Sequence, residues 1–475
     1  MSMLGLAALA LQNAVESDQF EWRLLLIIPA ILLISLCLFS VLSDDIASVV
    51  IDHRVVFSLF FCLYFLIGAS VASFEQDDPA KFNVTGLPIN EQFLWLTDAI
   101  NLIGFGIALG VSTIFRPVYL EAKIGHLAET LNQKLAISSR TLCALLICIG
   151  FVAKVYLFLN VVSQNLETIS GIYHYLALAL PFGIFVFVLF EEQLYFKTMC
   201  GLALLVAGSS LIGVLLFSKF DVRAPAGAFF AAYSVRKKSI LTLALTIVGC
   251  IGILGELAGA IQYSRDRLLD LGSADALTRF DIFIDGMTAA RSAAESSIYA
   301  AHGDNTTDYF LWGRFSFTEP QIFAVQLYEQ GQPSLDWFLW PWVFVPRFLD
   351  EAKPIMSLAG QILFSKMLPR TGSSVSIGIF VDGYYNGGWL GVIIFSGVAG
   401  WILSCTSAIA KVVQHKQSVV LYPLLAVGLY IGFKVDGFWI TDYLAPFITL
   451  AYALTGLMGA WWLLGFISTI GQTKS

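Results

Sequence analysis

The chain has 475 residues, 57% of them hydrophobic and only 13% charged, and a formal net charge of −7. Soluble domains carry about 25% charged residues, so this composition excludes an ordinary soluble protein and indicates a polytopic membrane protein. The thinly spread negative charge does not suggest a nucleic-acid binder.

In chain order, the runs that meet or approach the roughly 20 apolar residues a bilayer crossing requires begin with Leu24–Leu42 and Val55–Phe74. Thr97–Phe115, Thr141–Val162, Ile172–Phe190 and Thr198–Phe217 follow. Ala224–Val235 is too short for a full span and sits between Arg223 and the triplet Arg236-Lys237-Lys238. Ser239–Ile261 is again long enough, and Gly387–Ala410, Ser418–Phe433 and Ala445–Ile467 complete the set. The expected fold is therefore an all-α polytopic membrane protein with about 11 transmembrane helices and one large extracytoplasmic loop. N-terminal helices occupy 1–261, a partly helical, membrane-apposed loop 262–377, and C-terminal helices 378–475. No basic n-region precedes the first apolar stretch, so a cleaved signal peptide is not expected. No internal repeat is visible.

Lys and Arg in short loops set the orientation. The cation-rich connection between Arg116 and Arg140 belongs inside. Counting forward, Arg236-Lys237-Lys238 and Lys411 with Lys416 also fall inside, provided that Ala224–Val235 crosses. The same count puts 262–377 outside. Its aromatic content, Trp337, Trp340 and Trp342 among others, argues against disorder. The seven cysteines (Cys37, Cys62, Cys143, Cys148, Cys200, Cys250, Cys405) all lie in apolar runs, with neither metal spacing nor loop positions suited to disulfides.

Four cations, Arg347, Lys353, Lys366 and Arg370, crowd a short outer segment before the helix near Gly387. Pro346 and Pro354 bracket Arg347 and Lys353 in a stiff stretch. Arg binds phosphate oxygens as a planar fork and Lys as a point charge, so such a cluster suits an anionic lipid headgroup. The same residues can instead anchor the loop by snorkelling. Arg223, at the outer end of the short small-residue segment, faces either a cavity or the interface. Lys154 lies deep in Thr141–Val162, where an ionisable residue faces the protein interior, towards substrate or a partner such as Glu256. Asp382, Glu319, Asp304 and His302 are the outer groups able to accept a proton from a sugar hydroxyl; the bland reading of each is a solvated charge. His174 falls at an outer helix end.

Three motifs in this order resemble the Wzy-type oligosaccharide repeat unit polymerases of O-antigen and exopolysaccharide synthesis. They are Arg314 within the stretch 313–320, Pro346-Arg347 followed by Lys353-Pro354, and Asp382 with the aromatic and glycine run to Gly391. Arg223 before a short helix and a basic turn is also similar to this family and to the O-antigen ligases. The chain departs from the family pattern at Asp350-Glu351-Ala352, where Trp-Pro-Asp is common, and at Asp382, where Glu is common.

The resemblance implies the architecture of C-type glycosyltransferase polymerases and ligases in a bacterial inner (cytoplasmic) membrane, with the active site facing the periplasm. It implies a metal-independent, inverting transfer of a growing glycan from undecaprenyl pyrophosphate to a lipid-linked repeat unit. On this reading Arg223, Arg314, Arg347, Lys353 and Arg370 hold the pyrophosphate, and Asp382 or His302 accepts the proton. No cofactor and no metal are expected. The partners are undecaprenyl-pyrophosphate-linked oligosaccharides and membrane lipids, with a chain-length regulator as a further candidate. The alternatives are an O-antigen ligase or other carrier-lipid glycosyltransferase, and a lipid-linked oligosaccharide transporter.

Overall fold

The computed structural model describes residues 52–69, 91–135, 139–163, 172–238, 274–293, 317–345, 353–354, 359–367, 375–416 and 422–444, apart from 116 and 192, with isolated positions elsewhere. The described part is helical throughout, without strands. The helices are α1 (His53–Phe61), α2 (Glu91–Ile114), α3 (Val118–Leu135), α4 (Ser139–Val162), α5 (Ile172–Ala177), α6 (Ala179–Phe190), α7 (Phe196–Leu215) and α8 (Lys219–Lys237). They continue with α9 (Ala276–Ala293), α10 (Thr318–Glu329), the short α11 (Trp340–Val343), α12 (Ala359–Met367), α13 (Ile379–Lys416) and α14 (Tyr422–Phe433). A π-helical turn, Cys62–Ile67, extends α1, a 3₁₀ turn, Asp336–Leu339, precedes α11, and a second π-helical turn, Trp439–Leu444, follows α14. Four described helices are long and apolar enough to cross a membrane: 92–114, 140–162, 196–215 and 379–413. The expected span Ala445–Ile467, and most of Leu24–Leu42 and Ser239–Ile261, lie outside the described residues.

The expected single span Ile172–Phe190 is two helices, α5 and α6, parted at Leu178. Pro181 accounts for the break, because its ring has no N–H to offer and crowds the carbonyl four residues earlier. The short segment Ala224–Val235 is the middle of a longer helix. Ser218 caps α8 by accepting from the Asp221 N–H at 3.3 Å, and Lys238 ends it in the left-handed conformation at φ 53°. The 19 residues of α8 cover about 28 Å, close to a bilayer's hydrocarbon thickness. α8 returns along α7: the Ser210 hydroxyl donates to the Val222 carbonyl at one end. At the other end Arg236 donates to the Val188 carbonyl at 3.1 Å and to that of Glu191, satisfying the exposed C-terminus of α6.

Cations gather at that same end of the bundle. Arg140 pairs with Glu191 at 2.6 Å, and Arg54 is tied to Asp52, whose carboxylate also accepts from the Ser407 hydroxyl of α13 at 3.1 Å. The opposite end holds Lys154, which is 2% exposed. Its ammonium donates to the Ser209 hydroxyl at 2.8 Å and the Asp221 carbonyl at 2.9 Å, and stands 3.4 Å from the Asp221 carboxylate. Its partner is thus Asp221, in the first turn of α8, while Glu256 lies outside the described residues.

One helix of the segment expected to lie on the membrane surface, α10, packs into the protein core. Ala324 and Val325 of α10 are fully buried in the core that α2 and α13 share. There Gln321 donates to the Ile377 carbonyl at 2.7 Å and accepts from the Asn101 amide of α2 at 3.2 Å. A helix with an amide on its buried face is stable only where that amide is bonded, and both contacts supply this.

Candidate active site

The helix expected to begin near Gly387 begins at Ile379 and is broken at Gly387 and Gly388. Gly388 has φ 59° and ψ −148°, a combination essentially restricted to glycine. The break turns the first half-helix back on the second. Residues eight apart would be separated by about 12 Å in a straight helix, yet a Cβ on Gly391 would overlap the Gly383 carbonyl. The glycine run therefore serves close approach within α13 itself.

Four side chains of the turned-back half-helix bind four neighbouring elements. Asp382 accepts from the Trp439 N–H of the π-helical turn at 2.8 Å, and from the Asn386 amide at 2.9 Å. Tyr384 donates to Glu329 of α10 at 2.6 Å. The Tyr385 hydroxyl accepts from the Lys366 ammonium of α12 at 3.1 Å. Asn386 accepts from the Trp337 N–H of the 3₁₀ turn at 3.0 Å. The Asp-x-x-x-Asn spacing places both groups on one helix face, which lets Asn386 orient the carboxylate.

Asp382 is 3% exposed and lies on the wall of a cavity of about 240 Å³. Phe395, Phe438, Ile440 and Ile362 form apolar wall, and Asp336, Asn386 and Thr441 bring polar atoms. Two of the carboxylate's roughly four lone-pair sites are used by Trp439 and Asn386, which leaves capacity for a hydroxyl donor. Burial raises the Asp336 carboxyl above its usual range, against the Ser334 hydroxyl and the Lys366 charge, which pull it down.

Of the expected phosphate-binding cations, Lys353 and Arg223 are described. Lys353 is half-buried, donates to the Val345 carbonyl at 2.8 Å, and adjoins Pro354 on the cavity wall. Lys366 lies one helical turn after the wall residue Ile362. Arg223 is half-buried on α8, and its charge acts on Asp436. His302, Arg314, Arg347 and Arg370 lie outside the described residues, as do Asp304 and the side chain of His174.

The connection 434–444 was not anticipated as part of the site. Lys434 stands 3.6 Å from Asp442, and Asp442, more than any other neighbour, holds its ammonium well above the ordinary lysine range. Asp442 also accepts from the Phe438 N–H at 2.9 Å and from the Tyr430 and Thr441 hydroxyls. Burial raises the Asp436 carboxyl, and Lys434 and Arg223 oppose the rise. This segment thus joins the Arg223 region to the Trp439 N–H that holds Asp382. Three charges around Asp436-Gly437, a turn-forming pair, are the signal in the sequence that marks it.

No protein-family model, curated protein or solved structure matches this chain. The functional reading therefore rests on the site's own chemistry.

Proposed function

We propose that the chain is an integral-membrane glycosyltransferase that polymerises lipid-linked oligosaccharide repeat units. The observation that carries the reading is a buried, hydrogen-bonded carboxylate, Asp382, on the wall of a cavity at the break of α13, with Lys353 and Lys366 beside that cavity, next to its wall residue Pro354 and one turn after Ile362. In the proposed reaction a hydroxyl of the acceptor repeat unit attacks the anomeric carbon of the growing glycan. A new C–O bond forms, the anomeric C–O bond to undecaprenyl pyrophosphate breaks, and the pyrophosphate oxygen leaves with the bonding electrons. The hydroxyl proton passes to the Asp382 carboxylate; His302 is the second candidate. Fixed cations stabilise the negative charge that develops on the leaving group. Arg223, Lys353 and Lys366 support that role among the described residues, and Arg314, Arg347 and Arg370 are assigned to it from sequence alone.

The cations Arg54, Arg140, Arg236 and Lys237 lie at the end of the bundle away from Asp382, which supports a periplasmic site in the bacterial inner membrane. The length of α8 suits an eleventh crossing, although its charged ends leave it out of the helices apolar enough to span by composition.

Deleting the gene tests the reading. Loss of a polymerase leaves a single repeat unit on the surface acceptor, whereas bare acceptor core indicates a ligase. Repeat units trapped on the cytoplasmic leaflet indicate a transporter.

A further inference from the structure

The proposed reaction needs separate places for a pyrophosphate and for an attacking sugar, and the cavity beside Asp382 suits only one of them. Among the described residues that line it none is a cation, while two, Asp336 and Asp382, are carboxylates. An anion would meet repulsion there, so the pyrophosphate belongs beside Lys353 and Lys366, outside the cavity. The walls are instead those of a sugar subsite. Trp337, Phe395 and Phe438 offer aromatic surface to the C–H face of a pyranose ring. Asp336, Asp382, Asn386 and Thr441 offer hydrogen-bonding atoms to its hydroxyls.

Size limits the occupant. About 240 Å³ falls below the roughly 300–1,000 Å³ typical of pockets for drug-sized ligands, which leaves room for one ring rather than an oligosaccharide.

We infer that this cavity seats the attacking ring of the acceptor repeat unit, and that this ring is a neutral sugar rather than a uronic acid. The inference rests on the polymerase reading for the word acceptor, but the binding it describes requires neither carrier lipid nor turnover. Asp382 touches the hydroxyl that reacts, while Asp336 and Trp337 position the ring.

Saturation-transfer NMR on the purified full-length protein in detergent tests it. The probes are the methyl glycosides of glucose, galactose, mannose and N-acetylglucosamine, with methyl glucuronide as the anionic probe. At least one neutral glycoside should receive saturation, with the glucuronide at least ten-fold weaker. Ile362→Trp, which fills the cavity from a half-exposed position on α12, should reduce the neutral signal five-fold or more. Trp337→Ala, which removes the aromatic face from the wall, should reduce it two-fold or more. Asp336→Asn should narrow the gap between neutral and acidic probes. Absence of signal for every neutral probe, equal signals for neutral and acidic probes, or a signal that survives Ile362→Trp overturns the inference. Failure of the polymerase reading looks different: glycosides bind and Ile362→Trp blocks them, but no glycan is extended. Normal chain extension by Ile362→Trp would conversely remove the cavity's role and leave the polymerase.

Discussion

Gly388→Ala separates the broken-helix geometry from an ordinary straight helix. The backbone at Gly388, φ 59° and ψ −148°, costs a residue with a Cβ about 1–3 kcal/mol. The added carbon would also stand 2.5 Å from the Tyr328 hydroxyl oxygen and 3.0 Å from its ring. Overpacking of that kind typically adds about 1–3 kcal/mol. The sum is about 2–6 kcal/mol, and at about 2 °C per kcal/mol for a larger chain the variant should melt about 4–12 °C below wild type. The assay is a thermal ramp on detergent-purified protein, followed by intrinsic tryptophan emission. Gly397→Ala is the control, because the same helix has no neighbour within 4 Å of a Cβ there; it should melt at or slightly above wild type. Adding Tyr328→Phe to Gly388→Ala removes the nearest atom and should restore part of the loss but not the backbone component. If Gly388→Ala melts with wild type, the chain does not turn at this residue and the placement of Asp382 fails with it.

Asp382→Asn keeps the size of the side chain and an acceptor for Trp439, but removes the basic oxygen, so chain extension should slow by about 10²–10⁴-fold. Radiolabelled glycan ladders would show this, and wild-type rates would remove Asp382 as the base. Lys154→Met leaves the Asp221 carboxylate without its buried partner; because that side chain is 30% exposed and can hydrate, the cost should be about 1–3 kcal/mol rather than that of a fully buried broken pair. Adding Asp221→Asn should recover most of the lost thermal stability, and no recovery would mean the two do not act as a pair. A cysteine at Ser239 should resist impermeant thiol reagents added from the periplasmic side, while one at Gly303 should react. Labelling at Ser239 from that side would remove the crossing by α8.

Hydropathy made the long helices legible. α4 and α7 begin and end within about two residues of their apolar runs, because only continuous apolar surface satisfies a bilayer, while α2 starts at Glu91, well before the expected Thr97. The breaks were less visible. Pro181 divides α5 from α6, and Gly387-Gly388 folds α13 on itself, yet neither lowers average hydrophobicity, so a window that averages over a span passes across both. α10 was not singled out as a core helix, since Gln321 and Glu319 interrupt its apolar residues until the Asn101 partner is known. For the site, Asp382 and Lys353 were recognisable as chemistry-bearing residues. Their neighbours Asp336, Trp337 and the connection 434–444 were not, because they come together only through tertiary contacts. Lys154 was recognised as a buried cation, but its partner Asp221 sits 67 residues away in a first helical turn, where an acidic residue is expected for capping alone.

The central claim is chain growth with release of the carrier. Purified protein in phospholipid vesicles should be given the lipid-linked repeat units that accumulate in cells lacking the gene. The account predicts a ladder of products differing by one repeat, with one undecaprenyl pyrophosphate released per added unit. Full retention of single repeats on the carrier, with no pyrophosphate-bearing lipid released, would contradict it.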